Sequence, residues 1–120
     1  MPARSSSSPV RGWPDAATVD KAVRDWARRT AARKPETVRI GYFGSYARGN
    51  WGVGSDVDLL IIVDRADEPF ERRSARWHAI ELPVPAEALV YTLEEWQRLA
   101  SEPFGKSLLR DVVWVYEREP

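Results

Sequence analysis

Two aspartates one residue apart, Asp56 and Asp58, are the side chains of this sequence best suited to chemistry. They stand directly before Leu59-Leu60-Ile61-Ile62-Val63, an uninterrupted β-prone apolar run. Residues two apart on a strand share a face, so the spacing presents two carboxylates side by side. At an effective dielectric of about 20, two such charges about 4 Å apart repel by roughly 4 kcal/mol. A divalent cation is the simplest remedy, and hard carboxylate oxygens without Cys or clustered His favour Mg²⁺ or Mn²⁺. Upstream lies a second chemical feature. Arg39 to Phe43 is a short β-prone run, Gly44-Ser45 breaks it, and Tyr46 to Arg48 can begin a helical turn. The free amides at such a turn attract anions, so a metal site stands beside a glycine-opened turn suited to a polyphosphate.

Other elements must hold these residues in place. From Asp15 or Thr18, either of which can cap, Val19, Ala22, Val23, Trp26, Ala27 and Thr30 recur at helical spacing until Pro35. The arginines on this helix are interrupted by Asp20 and Asp25 and read as a solvated face. Phe70 to Leu82 reads as a helix burying Phe70, Trp77 and Ile80. Pro83 and Pro85 bracket the approach to a third strand, Ala86 to Thr92. Thr92-Leu93-Glu94-Glu95 is a capping box opening a helix, Pro103 restarts a shorter one to about Asp111, and Val112 to Tyr116 is a final strand. This order predicts an α+β domain of two layers, a mixed sheet with helices mainly on one face.

Composition bounds what the domain can be. The chain has 120 residues, enough for one small domain, with 43% hydrophobic residues and six Trp to build a modest core. Residues 1–14, rich in Ser and Pro, read as a mobile tail, and 15–120 as the folded domain. A formal net charge of zero argues against general nucleic-acid binding. With no Cys, disulfides and thiolate zinc sites are excluded, and His78 alone cannot form a histidine cluster. The absence of a membrane-length apolar run or a signal-peptide core leads us to expect no membrane association and a soluble, cytoplasmic protein.

Gly44-Ser45, a spacer and Asp56-x-Asp58 on a strand resemble the signature of the DNA polymerase beta-like nucleotidyltransferase superfamily. Gly44-Ser45-Tyr46-Ala47-Arg48-Gly49 resembles its minimal nucleotidyltransferase branch. The resemblance spans Val19 to Tyr116 and implies the same fold. It also implies a third acidic position, Glu87, on the strand that leads into the Thr92-capped helix; most members of the family have Asp there. Asp56, Asp58 and Glu87 would then hold Mg²⁺ or Mn²⁺ and carry the catalysis. Gly44 would admit the phosphates, Ser45 would bond them, and Arg48 would either meet their charge or pin the turn. The donor implied is a nucleoside triphosphate, most plausibly ATP, and the product a nucleoside monophosphate joined to a hydroxyl acceptor. An alternative within the same resemblance is a low-turnover, antitoxin-like module bound to a helical partner of the HEPN type.

Competing motifs fare worse. No G-x-x-x-x-G-K-[ST] is present, the glycines do not fit G-x-G-x-x-G, and neither Ser45 nor Ser55 sits in a G-x-S-x-G elbow that His78 could serve. Trp26, Trp77 and Trp96 fall on apolar helix faces, whereas Trp51 lies in the glycine loop, where it could stack on a base or pack the loop. If the helices cover only one face, Leu60, Ile62, Leu89 and Tyr91 remain uncovered beside the carboxylates. That face would make the chain a homodimer or the partner of a helical protein, unless the C-terminal helix and strand fold back over it.

Overall fold

The computed structural model describes residues 12–119. Its elements run α1 (Ala16–Arg33), β1 (Thr37–Phe43), α2 (Ser45–Arg48), β2 (Val57–Val63), α3 (Phe70–Arg73), a 3₁₀ turn (Ser74–Arg76), β3 (Ala86–Thr92), α4 (Leu93–Leu99), α5 (Pro103–Asp111) and β4 (Val113–Glu117). The four strands form one mixed sheet in the order β3-β2-β1-β4. β1 is antiparallel to both β2 and β4, while β2 and β3 run parallel. This is the α+β class expected from the order of the elements.

The apolar run of β2 places the strand at the centre, because a strand without polar alternation must be covered on both faces. Val57, Leu59, Ile61 and Val63 face α1, where Val19, Val23, Trp26 and Ala27 close a single core with Ile40 and Tyr42. Asp15 caps α1 by accepting from the Thr18 amide at 2.9 Å, and the helix ends just before Pro35, which could not supply the next amide. Leu60 and Ile62 point the other way and pack under Trp96 of α4 and Leu108 of α5, joined by Leu89, Tyr91 and Trp114. The expected bare face is therefore corrected: the C-terminal helices fold back over it, and no homodimer is needed to cover it. Thr92 and Glu95 form the capping box in both directions, turning the chain from β3 back across the sheet. Gly105 lets α5 press against α4, since a Cβ there would stand 1.8 Å from the Leu99 carbonyl oxygen.

A second correction concerns residues 70–82. Instead of one helix, α3 ends at Arg73, a 3₁₀ turn follows, and 77–85 is irregular. Arg73, on what would be the second turn of an amphipathic helix, is itself buried. Its guanidinium donates to the carbonyls of Glu68 and Val90 and forks onto Glu95 at 2.6 and 3.2 Å. Those bonds fix the chain direction more strongly than three widely spaced apolar residues can. Trp77 is buried as expected, under the Lys34 ammonium at 5.0 Å, but Ile80 is 93% exposed. The tail expected over 1–14 lies mostly outside the described residues. At its end Trp13 packs against the α1 core and the Pro14 carbonyl accepts from the Tyr46 hydroxyl at 2.9 Å.

Candidate active site

The parallel register of β2 and β3 sets Asp58 opposite Glu87. Both belong to the face of the sheet that continues through Leu60, Ile62, Leu89 and Tyr91, so their side chains leave the sheet on the same side. The Val57 amide donates to the Pro85 carbonyl at 2.9 Å, which locks the two strand beginnings together and sets the carboxylate pair at one end of the sheet. Asp56 stands one residue before β2, exposed to solvent. Its position is prepared by a tight turn in which Ser55 Oγ accepts from the Gly52 amide at 2.8 Å and the Ser55 amide donates back to Gly52 at 3.0 Å.

Gly44 meets this pair from β1. It links β1 to α2 with φ of +81°, and a Cβ there would lie 2.2 Å from Asp58 Oδ2. Both the backbone conformation and the space require glycine. The β1–β2 pairing of Phe43 with Asp58 brings this turn against the carboxylate. The Gly44 carbonyl accepts from Ala47 and Arg48, closing the short helical turn, while the first amides of such a turn have no intrahelical acceptor. Ser45 opens that turn, half-buried.

Electrostatics tie these parts together. Burial pushes the Asp58 carboxyl above its usual range, Glu87 and then Asp56 push it further, and among the described residues Arg48 opposes them. Negative charge is thus in surplus around Asp58. Arg48 is half-exposed and forms an ion pair with Asp111 of α5 at 3.5 Å, rather than bonding the carbonyls of its own turn. Asp111 is a residue that the sequence reading missed. It lies far along the chain in an unremarkable polar context, and no local signal could have paired it with Arg48. Trp51 stacks on Tyr46, with centroids 5.4 Å apart and planes 9° from parallel, so one of its faces packs the loop.

Asp56, Asp58, Glu87, Gly44, Ser45 and Arg48 therefore gather around the ends of β1, β2 and β3. Among the described residues, no three Asp, Glu, His or Cys side chains already stand in a metal-holding arrangement. The donor set nevertheless fits a hard divalent cation, because it is all oxygen, all anionic, and leaves Asp58 without a bonded counter-charge. His78 is not part of this group. It lines a hollow with Thr30, Arg33 and Lys34 before β1, whereas Ser45 follows β1.

Residues 24–110 match the family model of the nucleotidyltransferase domain, and the chain belongs to that family. No curated protein matches it. Among solved structures it is similar to a candidate nucleotidyltransferase from Sulfolobus solfataricus, with a TM-score of 0.62 and 19% identity over 86% of this chain and 84% of that one. It is also similar to a toxin-antitoxin structure solved with AMP-PNP, with a TM-score of 0.56 and 16% identity over 83% of this chain and 74% of that one. Identities this low speak for the fold. Among the described residues no helix is long and apolar enough to cross a membrane.

Proposed function

We propose that this domain transfers a nucleoside monophosphate, AMP from ATP, to a hydroxyl acceptor in the cytoplasm, with Mg²⁺ or Mn²⁺ held by Asp56, Asp58 and Glu87. The observation that carries the reading is the pairing of Asp58 with Glu87 across parallel strands, against a glycine turn that no larger residue could make. The divalent cation, when bound, would neutralise the carboxylates and the charge that develops on the triphosphate. The chain's own residues have separate tasks. Gly44 lets the backbone come close to the phosphates, and Ser45 offers its hydroxyl and amide to their oxygens. Arg48 adds a positive charge on the same side. Glu87 takes the proton of the acceptor hydroxyl as its oxygen attacks the α-phosphorus. A new phosphorus–oxygen bond forms, the bond to the β-phosphate bridging oxygen breaks, and pyrophosphate leaves. Glu87 is one methylene longer than the Asp that the family resemblance implies at this position, so the reach of its carboxylate bears on the rate.

A second reading has its own support. The likeness to a toxin-antitoxin structure favours an antitoxin-like module; low turnover and a helical partner of the HEPN type are what the family resemblance adds to that reading. The two readings overlap where the partner itself carries the acceptor hydroxyl. Incubation with ATP labelled in the adenosine moiety, Mg²⁺ and the product of the adjacent gene separates them. Label on that protein, lost in Asp58→Asn, supports transfer. A stable complex that stays unlabelled supports the binding module, and neither complex nor label removes both.

A further inference from the structure

The outer edge of β3 differs along its length. The Val57–Pro85 bond and the parallel register fix which residues face β2: Glu87, Leu89 and Tyr91 turn their amides and carbonyls inward. Ala86, Ala88, Val90 and Thr92 turn theirs outward, away from the sheet. At the far end two of these outward groups are bonded. The Arg73 guanidinium donates to the Val90 carbonyl at 3.1 Å, and Glu95 accepts from the Thr92 amide at 2.9 Å. At the end beside Glu87, no hydrogen bond from the described residues reaches the outward groups of Ala86 and Ala88.

A cavity of about 790 Å³ opens beside this free half. Trp77, Leu82 and Val84 line it, Leu59 contributes from β2, and Ile80, 93% exposed, stands among the lining residues. Among the described residues no Lys or Arg lines it, and Glu87 is the one charged residue that does. An anionic ligand such as a nucleotide or a nucleic-acid strand finds no counter-charge there. The free main-chain groups repeat every second residue, about 6.6 Å apart, which is the repeat of an extended polypeptide.

We propose that the Ala86–Ala88 edge and its apolar cavity bind an extended, uncharged or basic segment of a partner protein. The segment adds a strand outside β3 and sets an apolar side chain against Trp77, Leu82 and Ile80. The Arg73 plug at Val90 ends the added strand, so the docked segment terminates beside Glu87. Binding at this edge does not depend on turnover. A second copy of this chain and its own residues 1–11 are the competing occupants.

The test selects peptides from a displayed random library on the full chain, then measures a synthetic copy of the enriched sequence by calorimetry and amide hydrogen exchange. The Ala88 amide is expected to exchange freely in the unbound chain and to become protected with the peptide. N-methylation along the peptide should abolish binding at alternate positions only. Ala88→Pro removes an outward amide that β2 does not use, so the fold should survive while affinity falls about tenfold or more, the equivalent of one lost hydrogen bond. Ile80→Ser, at an exposed position, removes the apolar contact without adding charge, should weaken binding similarly and keeps the test open if the proline variant fails to fold. Failure to enrich any sequence overturns the proposal, as does binding that survives both variants. Protection of Ala88 without peptide also overturns it: protection lost on deleting 1–11 assigns the edge to this chain's own segment, and protection that grows with concentration assigns it to a second copy.

Discussion

Two groups of charges flank β3, and they are built on opposite terms. At the far end, Arg73 is buried and every bond it makes is complementary: two carbonyls and the two oxygens of Glu95. At the near end, Asp58, Glu87 and Asp56 share one sign; burial and then these two neighbours raise the proton affinity of Asp58, and the half-exposed Arg48 opposes them. A fold gains from the first arrangement and loses from the second. The contrast separates a cluster that holds the corner between α3, β3 and α4 from one in which like charges crowd Asp58.

The largest effect should come from the satisfied cluster. Arg73→Met removes one partner of a buried fork and orphans the Val90 carbonyl, a change of about 3 kcal/mol or more in unfolding free energy. Urea denaturation checks it, and an unchanged midpoint would contradict the comparison. Acid should reach the same cluster. The Arg73 bonds, aided by the capping contacts with Thr92, hold the Glu95 carboxyl down at about 2, below its ordinary 4.5. Because the folded value is the lower one, this contribution is complete above about pH 4.5 and is lost as pH falls toward 2. Partial exposure of Glu95 limits it to on the order of 2 kcal/mol. In Arg73→Met that acid-dependent loss should largely vanish.

The surplus cluster should respond in the opposite sense. Asp58→Asn keeps the shape and removes the charge, so transfer should drop by about 100-fold or more while the melting temperature holds or rises. A variant that loses stability and keeps transfer would reverse the roles of the two clusters. Gly44→Ala is a different break at the same place. Its Cβ must displace Asp58 Oδ2, and the positive φ adds strain of about 1 to 3 kcal/mol, so activity and stability should fall together.

The site was far more legible in the sequence than the fold's second face. Asp56, Asp58, Gly44 and Ser45 announce themselves because their chemistry depends on local spacing, and a strand and a tight turn transmit that spacing faithfully. Glu87 came only through family resemblance, since nothing in Ala86-Glu87-Ala88 marks it as chemical; the register of β3 then brings it opposite Asp58. The covering of Leu60 and Ile62 was harder to read, because it depends on how Gly105 lets two short helices close up, a tertiary contact with no periodic signature. The irregular 77–85 segment was misjudged for a related reason. Arg73 looks like a solvent-facing helix residue until its three partners, drawn from two other parts of the chain, are known.

The smallest effect tests the hinge between the clusters and the rest of the fold. Arg48 reaches Asp111 at 3.5 Å from a half-exposed position, a separation at which ion pairs contribute less than about 1 kcal/mol to stability. Asp111→Asn should therefore scarcely move the melting temperature. It should, however, free Arg48 for the phosphates, lowering the KM for the triphosphate a few-fold at unchanged kcat, because the pair competes with ligand for one guanidinium. High salt provides the control. At about 1 M the screening length shrinks to about 3 Å, and the difference between Asp111→Asn and the unaltered chain should close. If the variant instead melts at a clearly lower temperature with an unaltered KM, Arg48 is a clamp between α2 and α5, and Asp58 has no resident cation to lean on.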